Sequence, residues 1–137
     1  MLYVLSDIHG HYKAYRAMLE AIRFCSRDVL YVLGDVIDRG PDGIRILRDM
    51  MVRPNVVPIL GNHELTAAAC LSWLLEEITE ERLAALGQAQ LAALQDWIAN
   101  GGTPTLQALR PLGREEWAEI LEYLQDMELY AQVTAGG

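Results

Sequence analysis

Val29-Leu30-Tyr31-Val32-Leu33 runs directly into Gly34-Asp35-Val36-Ile37-Asp38-Arg39-Gly40. An apolar run of this length, rich in valine and closed by a glycine turn, reads as a buried strand. The same pattern recurs on both sides of it. Leu2-Tyr3-Val4-Leu5 leads into Ser6-Asp7-Ile8-His9-Gly10, and Val56-Val57-Pro58-Ile59-Leu60 leads into Gly61-Asn62-His63-Glu64. Pro58 cannot donate to a ladder, so the third strand is expected at an edge or to place Pro58 at its start. Between the runs lie helical patterns. Tyr15, Met18, Leu19 and Ile22 share one face of Tyr12 to Phe24, and Ile44, Leu47 and Met51 share one face of Gly43 to Met51. Strand alternating with helix predicts an α/β fold with a parallel sheet and right-handed crossovers.

From His63 onward the chain reads as helical. Leu65 to Ile78 is one pattern, and Thr79 with Glu80 and Glu81 looks like a capped start with an acidic first turn. Gly87 interrupts, Gln88 to Ala99 resumes, and Asn100-Gly101-Gly102 is expected to stop the helix. Thr103-Pro104 suggests a cap followed by proline at the first helical position. Trp117, Ile120, Leu121 and Leu124 mark one face of a last helix, and Glu128 to Gly137 alternates weakly, like a strand entering a turn.

The chain has 137 residues, 52% of them hydrophobic and 22% charged, enough to bury a core. This length suits one domain. With 11 Lys+Arg against 19 Asp+Glu, the formal charge is -8, which argues against gripping nucleic acid through a basic face. The start has no basic leader and meets charge at Asp7, and Leu65 to Leu75 is too short to span a bilayer, so no membrane association is expected. Cys25 and Cys70 form no framework, and reduced thiols in a cytoplasmic protein are the plain reading.

The chemistry-bearing residues gather where strands end. In open α/β sheets ligands bind at the carboxyl ends of the strands, so the three polar clusters should converge on one crevice. Asp, His and Asn are oxygen and imidazole donors that suit divalent metals such as Mn or Fe. Taken singly, each cluster has a plainer reading: a turn with a satisfied histidine, a strand-to-loop turn, a helix cap, or a surface pairing of Arg39 with Asp38 or Asp42. Their conjunction, each after an apolar run and on the same predicted edge, favours a metal site. His11 and Glu64 are read as loop and helix-start structure.

Asp7-Ile8-His9-Gly10, Gly34-Asp35-Val36-Ile37-Asp38-Arg39-Gly40 and Gly61-Asn62-His63-Glu64 resemble the DxHG, GDxxDRG and GNHE signatures of the calcineurin-like metallophosphoesterases. The form of the last two is similar to the phosphoprotein phosphatase branch, including bacterial and phage serine/threonine phosphatases. The stretch ending Asn100-Gly101-Gly102 resembles an insertion of bacterial members. The resemblance implies the first half of a metallophosphoesterase β-sandwich flanked by helices, with a helical insertion after the third strand. It divides the single domain, taken to be incomplete at its C-terminal end, into a metal-binding core (1–64), an insertion (65–127) that caps or flanks the site, and the start of a strand or hairpin (128–137).

The resemblance also implies roles. Asp7 and His9 would hold a first metal, Asp35 would bridge two, and Asn62 would ligate the second. Mn is the expected cation, with Fe, Zn or Mg as substitutes. A metal-activated hydroxide would attack phosphorus directly, Arg39 would clamp phosphate oxygens, and His63, oriented by Asp38, would protonate the leaving group. The family's second metal also takes histidines from later strands, whereas the histidines here are His9, His11 and His63. The second site is therefore expected to be half built, and the uncovered sheet edge to invite dimerisation. The substrate implied is a phosphoprotein or small phosphoester. The alternatives are hydrolysis of dinucleoside polyphosphates of the diadenosine tetraphosphate type, or an inactive binding fragment. Glu64, where the dinucleotide hydrolases tend to have Asp, favours the phosphoprotein branch.

Overall fold

The computed structural model describes residues 1–75 and 87–129. Strands β1 (Leu2–Leu5), β2 (Val29–Val32) and β3 (Val56–Pro58) form one parallel sheet in sequence order. Leu2 pairs with Val29 and Leu30 with Val56 at the register's start. The sheet is parallel, as the alternation requires, because each connection carries a helix: α1 (Tyr12–Ala21) after β1 and α2 (Gly43–Met51) after β2. Pro58 ends β3, and β3 is an edge strand. The strand is shorter than its apolar run. Ile59 and Leu60 instead meet Glu128, through a parallel bridge at Ile59 and a Leu60 amide bond to the Glu128 carbonyl (2.7 Å). That contact agrees with the extended reading at Glu128; the rest of that reading, 130–137, lies outside the described residues.

Helix α3 (Asn62–Leu74) begins three residues before the expected Leu65, with Gly61 in extended backbone as its cap. Asn62, His63 and Glu64 are therefore its first turn. The expected cap at Thr79 lies outside the described residues. Gly87 opens α4 (Gln88–Trp97) and donates its amide to the Gln90 side chain at 3.0 Å. Asn100-Gly101-Gly102 breaks the helical path as expected, at Gly101. A kinked segment (Ile98–Gly102) joins α4 to α5 (Thr103–Leu109), and its backbone leaves helical geometry at Gly101, with φ 101°. Thr103 is inside α5, so it is not the cap its pairing with Pro104 suggested. Helix α6 (Arg114–Gln125) follows.

The core lies between the sheet and these helices. One buried cluster joins Leu30 and Val32 of β2, Ile46, Leu47 and Met50 of α2, and Leu71, Trp97, Leu109, Ile120 and Leu124 of the later helices. Helix α3 packs on α4 and α6, and α2 on α5, and the later helices reach the second strand-end loop through Trp97 and Thr105 on Asp38 and Gly101 on Arg39. Tyr15 of α1 donates to Asp49 of α2 at 2.7 Å, and Asp49 also takes Arg53 Nε at 2.8 Å. Leu2 and Val4 of edge strand β1 remain 44% and 58% exposed. Among the described residues no helix is long and apolar enough to cross a membrane.

Candidate active site

The three strand-end loops are stitched together by backbone. The His9 amide donates to the Asp35 carbonyl (2.9 Å), the Gly10 amide to Val36 (2.8 Å), and the Asp42 amide back to Gly10 (3.1 Å). Gly34 has φ 74°, and a Cβ there would stand 2.5 Å from Gly61 Cα, so the second and third loops touch backbone to backbone. Asp7, His9, Asp35, Asp38 and Arg39 all have positive φ, between 41° and 73°. Left-handed backbone at non-glycine residues costs of order 1–3 kcal/mol each. Such strain clusters at active sites and ligand clamps, and here five such residues fall in the two loops that carry Asp7, His9 and Asp35.

Asp7, His9 and Asp35 bring one ligand atom each to within 4.8 Å of one another. The His9 Nδ1 lies 3.0 Å from the Ile37 carbonyl. A carbonyl only accepts, so Nδ1 carries the proton and Nε2 offers a lone pair, the usual arrangement of a metal-ligating histidine. Asp35 Oδ1 is buried without a hydrogen-bond partner, and a Cβ on Gly61 would sit 2.9 Å from it. An orphaned buried carboxylate oxygen beside an imidazole lone pair and a second carboxylate is a donor set that a divalent cation satisfies. The residues present fit a metal. Asn62 is exposed at the start of α3, next to the glycine that abuts Asp35.

Asp38 is fully buried. His63 Nδ1 lies 2.8 Å from its Oδ2, so this histidine too is protonated at Nδ1 when neutral and keeps Nε2 unengaged. The rings of His9 and His63 meet edge to face with centroids 4.9 Å apart, which brings the pair onto the metal-ligand group. Asn62, His63, Thr66, Trp97 and Asn100 line a cleft of about 270 Å³ at this point. Arg39 is exposed, and neither Asp38 nor Asp42 nor any other carboxylate of the described residues forms an ion pair with it.

Glu64 is more than helix-start structure. It is wholly buried behind Asp35, and neither oxygen reaches hydrogen-bond geometry with a partner. Burial pushes its pKa up to about 7, and the neighbouring Asp35 carboxylate adds to the shift, while the Asp35 and Val36 amides pull the other way.

Residues 1–133 match the family model for the calcineurin-like phosphoesterases. The chain belongs to that family. Curated relatives of this phosphoesterase include symmetrical bis(5'-nucleosyl)-tetraphosphatases. That of Wigglesworthia glossinidia brevipalpis is 32% identical over 99 residues, 70% of this chain and 36% of the relative. That of Acidovorax sp. (strain JS42) is 47% identical over 66 residues, 47% of this chain and 24% of the relative. A crystal structure of a protein provisionally described as a diadenosine tetraphosphatase superposes with a TM-score of 0.53 at 21% identity, covering 90% of this chain and 41% of that one. This last likeness is one of fold. The chain thus spans about a third of the length of the curated relatives it matches, 36% in the first case.

In this phosphoesterase the structure brings the expected residues Asp7, His9 and Asp35 together, sets His63 against Asp38 and leaves Arg39 exposed. Sequence reasoning missed Trp97 and Thr105, both bonded to Asp38. Their signal was the glycine pair between them, read there as a helix stop.

Proposed function

We propose that the chain carries the metal-binding portion of a hydrolase that cleaves a phosphoanhydride in dinucleoside polyphosphates. The observation that carries the catalytic part is the edge-to-face contact joining the Asp7–His9–Asp35 group to the His63–Asp38 pair. The substrate class leans on the relatives, which are named as symmetrical tetraphosphatases. They support this reading over the phosphoprotein substrate that Glu64 and Asp38-Arg39-Gly40 suggested.

Asp7 and His9 would hold one divalent cation and Asn62 a second, with Asp35 serving both. Manganese suits this mixture of imidazole and carboxylate donors. Such cations, when bound, acidify water and neutralise phosphate oxygens. Arg39, without a carboxylate partner among the described residues, binds phosphate oxygens with its two-pronged guanidinium. His63, held through Nδ1 by Asp38, gives an Nε2 proton to the leaving oxygen as the bond to phosphorus breaks, and water supplies the new oxygen. The two unpaired cysteines fit a cytoplasmic setting.

The test is manganese-dependent turnover by this chain of diadenosine tetraphosphate, a phosphoserine peptide and an aryl phosphate, beside Asp35→Asn. Symmetrical cleavage yields two ADP and disappears in the variant. Faster release of phosphate from the peptide would restore the protein phosphatase reading. Silence on all three substrates would mark the chain as a metal-binding segment whose chemistry needs further residues.

A further inference from the structure

We propose that Trp97 and Thr105 are positioning residues for the Asp38–His63 pair, and that the turn between them is a clamp on Asp38-Arg39. The inference rests on the catalytic reading of Asp38, Arg39 and His63 given above, and goes beyond it by giving a positioning role to residues of the helical insertion.

A fully buried carboxylate demands a hydrogen bond on each lone pair, because an unsatisfied anion away from water is costly. Asp38 receives those bonds from three sources. Trp97 Nε1 bridges both oxygens, 3.0 Å from Oδ1 and 2.9 Å from Oδ2. Thr105 Oγ1 donates to Oδ1 at 2.6 Å. His63 Nδ1 meets Oδ2 at 2.8 Å. The Thr105 hydroxyl has one proton to give, and its lone pair takes the Asp38 amide at 3.0 Å, so both of its functions are spent on one residue. Trp97 and Thr105 together hold the carboxylate plane, and the plane in turn sets where the His63 ring stands.

The segment linking them treats Arg39 similarly. The Arg39 amide donates to the Gly101 carbonyl at 2.8 Å. Gly101 has φ 101°, and a Cβ there would lie 2.7 Å from Arg39 Cγ. Gly102 packs flat on the indole, where a Cβ would lie 2.6 Å from Trp97 Cδ1. Asp38 and Arg39 are consecutive residues with left-handed backbone, φ 73° and 68°, a strained pair that needs outside contacts to persist. The plain alternative is that Trp97 merely fills the core. A core indole satisfies its N–H with any nearby carbonyl, as Trp117 does with Leu109 at 2.7 Å. Trp97 spends its N–H on the carboxylate that faces the catalytic histidine.

The test needs no turnover, so a chain silent on all substrates leaves this measurement standing. The chain's histidines are His9, His11 and His63, which makes imidazole nitrogen shifts assignable. In the parent, His63 at a pH where its ring is neutral is expected to hold the Nδ1-protonated form, with a downfield Nδ1 proton. Trp97→Phe keeps the ring and Thr105→Val keeps the shape. Each should lose the downfield proton and drift toward the mixed tautomers of free histidine. Trp117→Phe, which removes the other insertion indole bond, should behave like the parent, and Thr105→Ser should restore what Thr105→Val loses. If Trp97→Phe fails to fold, the Thr105 pair decides alone. Folded Trp97→Phe and Thr105→Val proteins with the parent's His63 signature would overturn the proposal.

Discussion

Asp35 is the residue on which the site turns, since its backbone anchors the first loop while its buried Oδ1 lacks any partner. Asp35→Asn keeps the volume and removes the charge. It should weaken manganese binding by more than the ~10-fold typical of an outer-shell change, read by calorimetric titration of the chain. His63→Asn tests a different atom. A polyphosphate leaving group is far less basic than an alkoxide, so it needs less help from an acid. If turnover is observed, the variant should lose roughly 10²–10⁴-fold on a phosphoserine peptide and clearly less on diadenosine tetraphosphate. Equal losses on both would count against His63 as the acid. At this scale, Asp7, His9 and Asp35 were legible because ligand-type residues follow apolar runs in the same way each time. Glu64 was not, because nothing local announces that a first-turn glutamate points inward under a neighbouring loop.

Elements were legible in kind and less so in their ends. The run Gly43 to Met51 gave the helix bounds directly, since its apolar positions all face the core. Helix α3 starts earlier than its periodicity implies because Asn62 and His63 are held at the site rather than on an apolar face. The Asn-Gly-Gly stop was legible: Gly101 adopts the positive φ of a terminator, and a separate helix starts at Thr103, while the contact of Gly101 with Arg39 is tertiary and had no local signal. Gly101→Ala should therefore cost about 1–3 kcal/mol of stability from strain alone, visible as a lower midpoint in urea. Gly113 has open space and the extended backbone of a helix cap, φ -75° and ψ 165°. Gly113→Ser should gain a few tenths of a kcal/mol in the same assay.

For the whole molecule, the parallel sheet order followed from strand–helix alternation, while the seating of the later helices on the loops was invisible to any local window. Burial across these layers has a measurable mark. Burial pushes Tyr123 up to about 12, its hydroxyl having no partner, and raises Tyr15 further with help from the Asp49 bond. The folded state keeps these protons while the unfolded chain releases them near 10, so stability holds below pH 10 and falls as pH rises toward 12. Absorbance titration should show both phenols ionising only as circular dichroism is lost. The long reach of the Asp38 network bears on how the chain is made. His63, Trp97 and Thr105 lie 25, 59 and 67 positions after Asp38. At about 5–20 residues per second on the ribosome, the last clamp residue is added roughly 3–13 s after the aspartate. Until Thr105 has left the exit tunnel, a nascent chain can hold the metal-ligand loops but not the finished carboxylate, so competence to bind a cation should precede competence to use it.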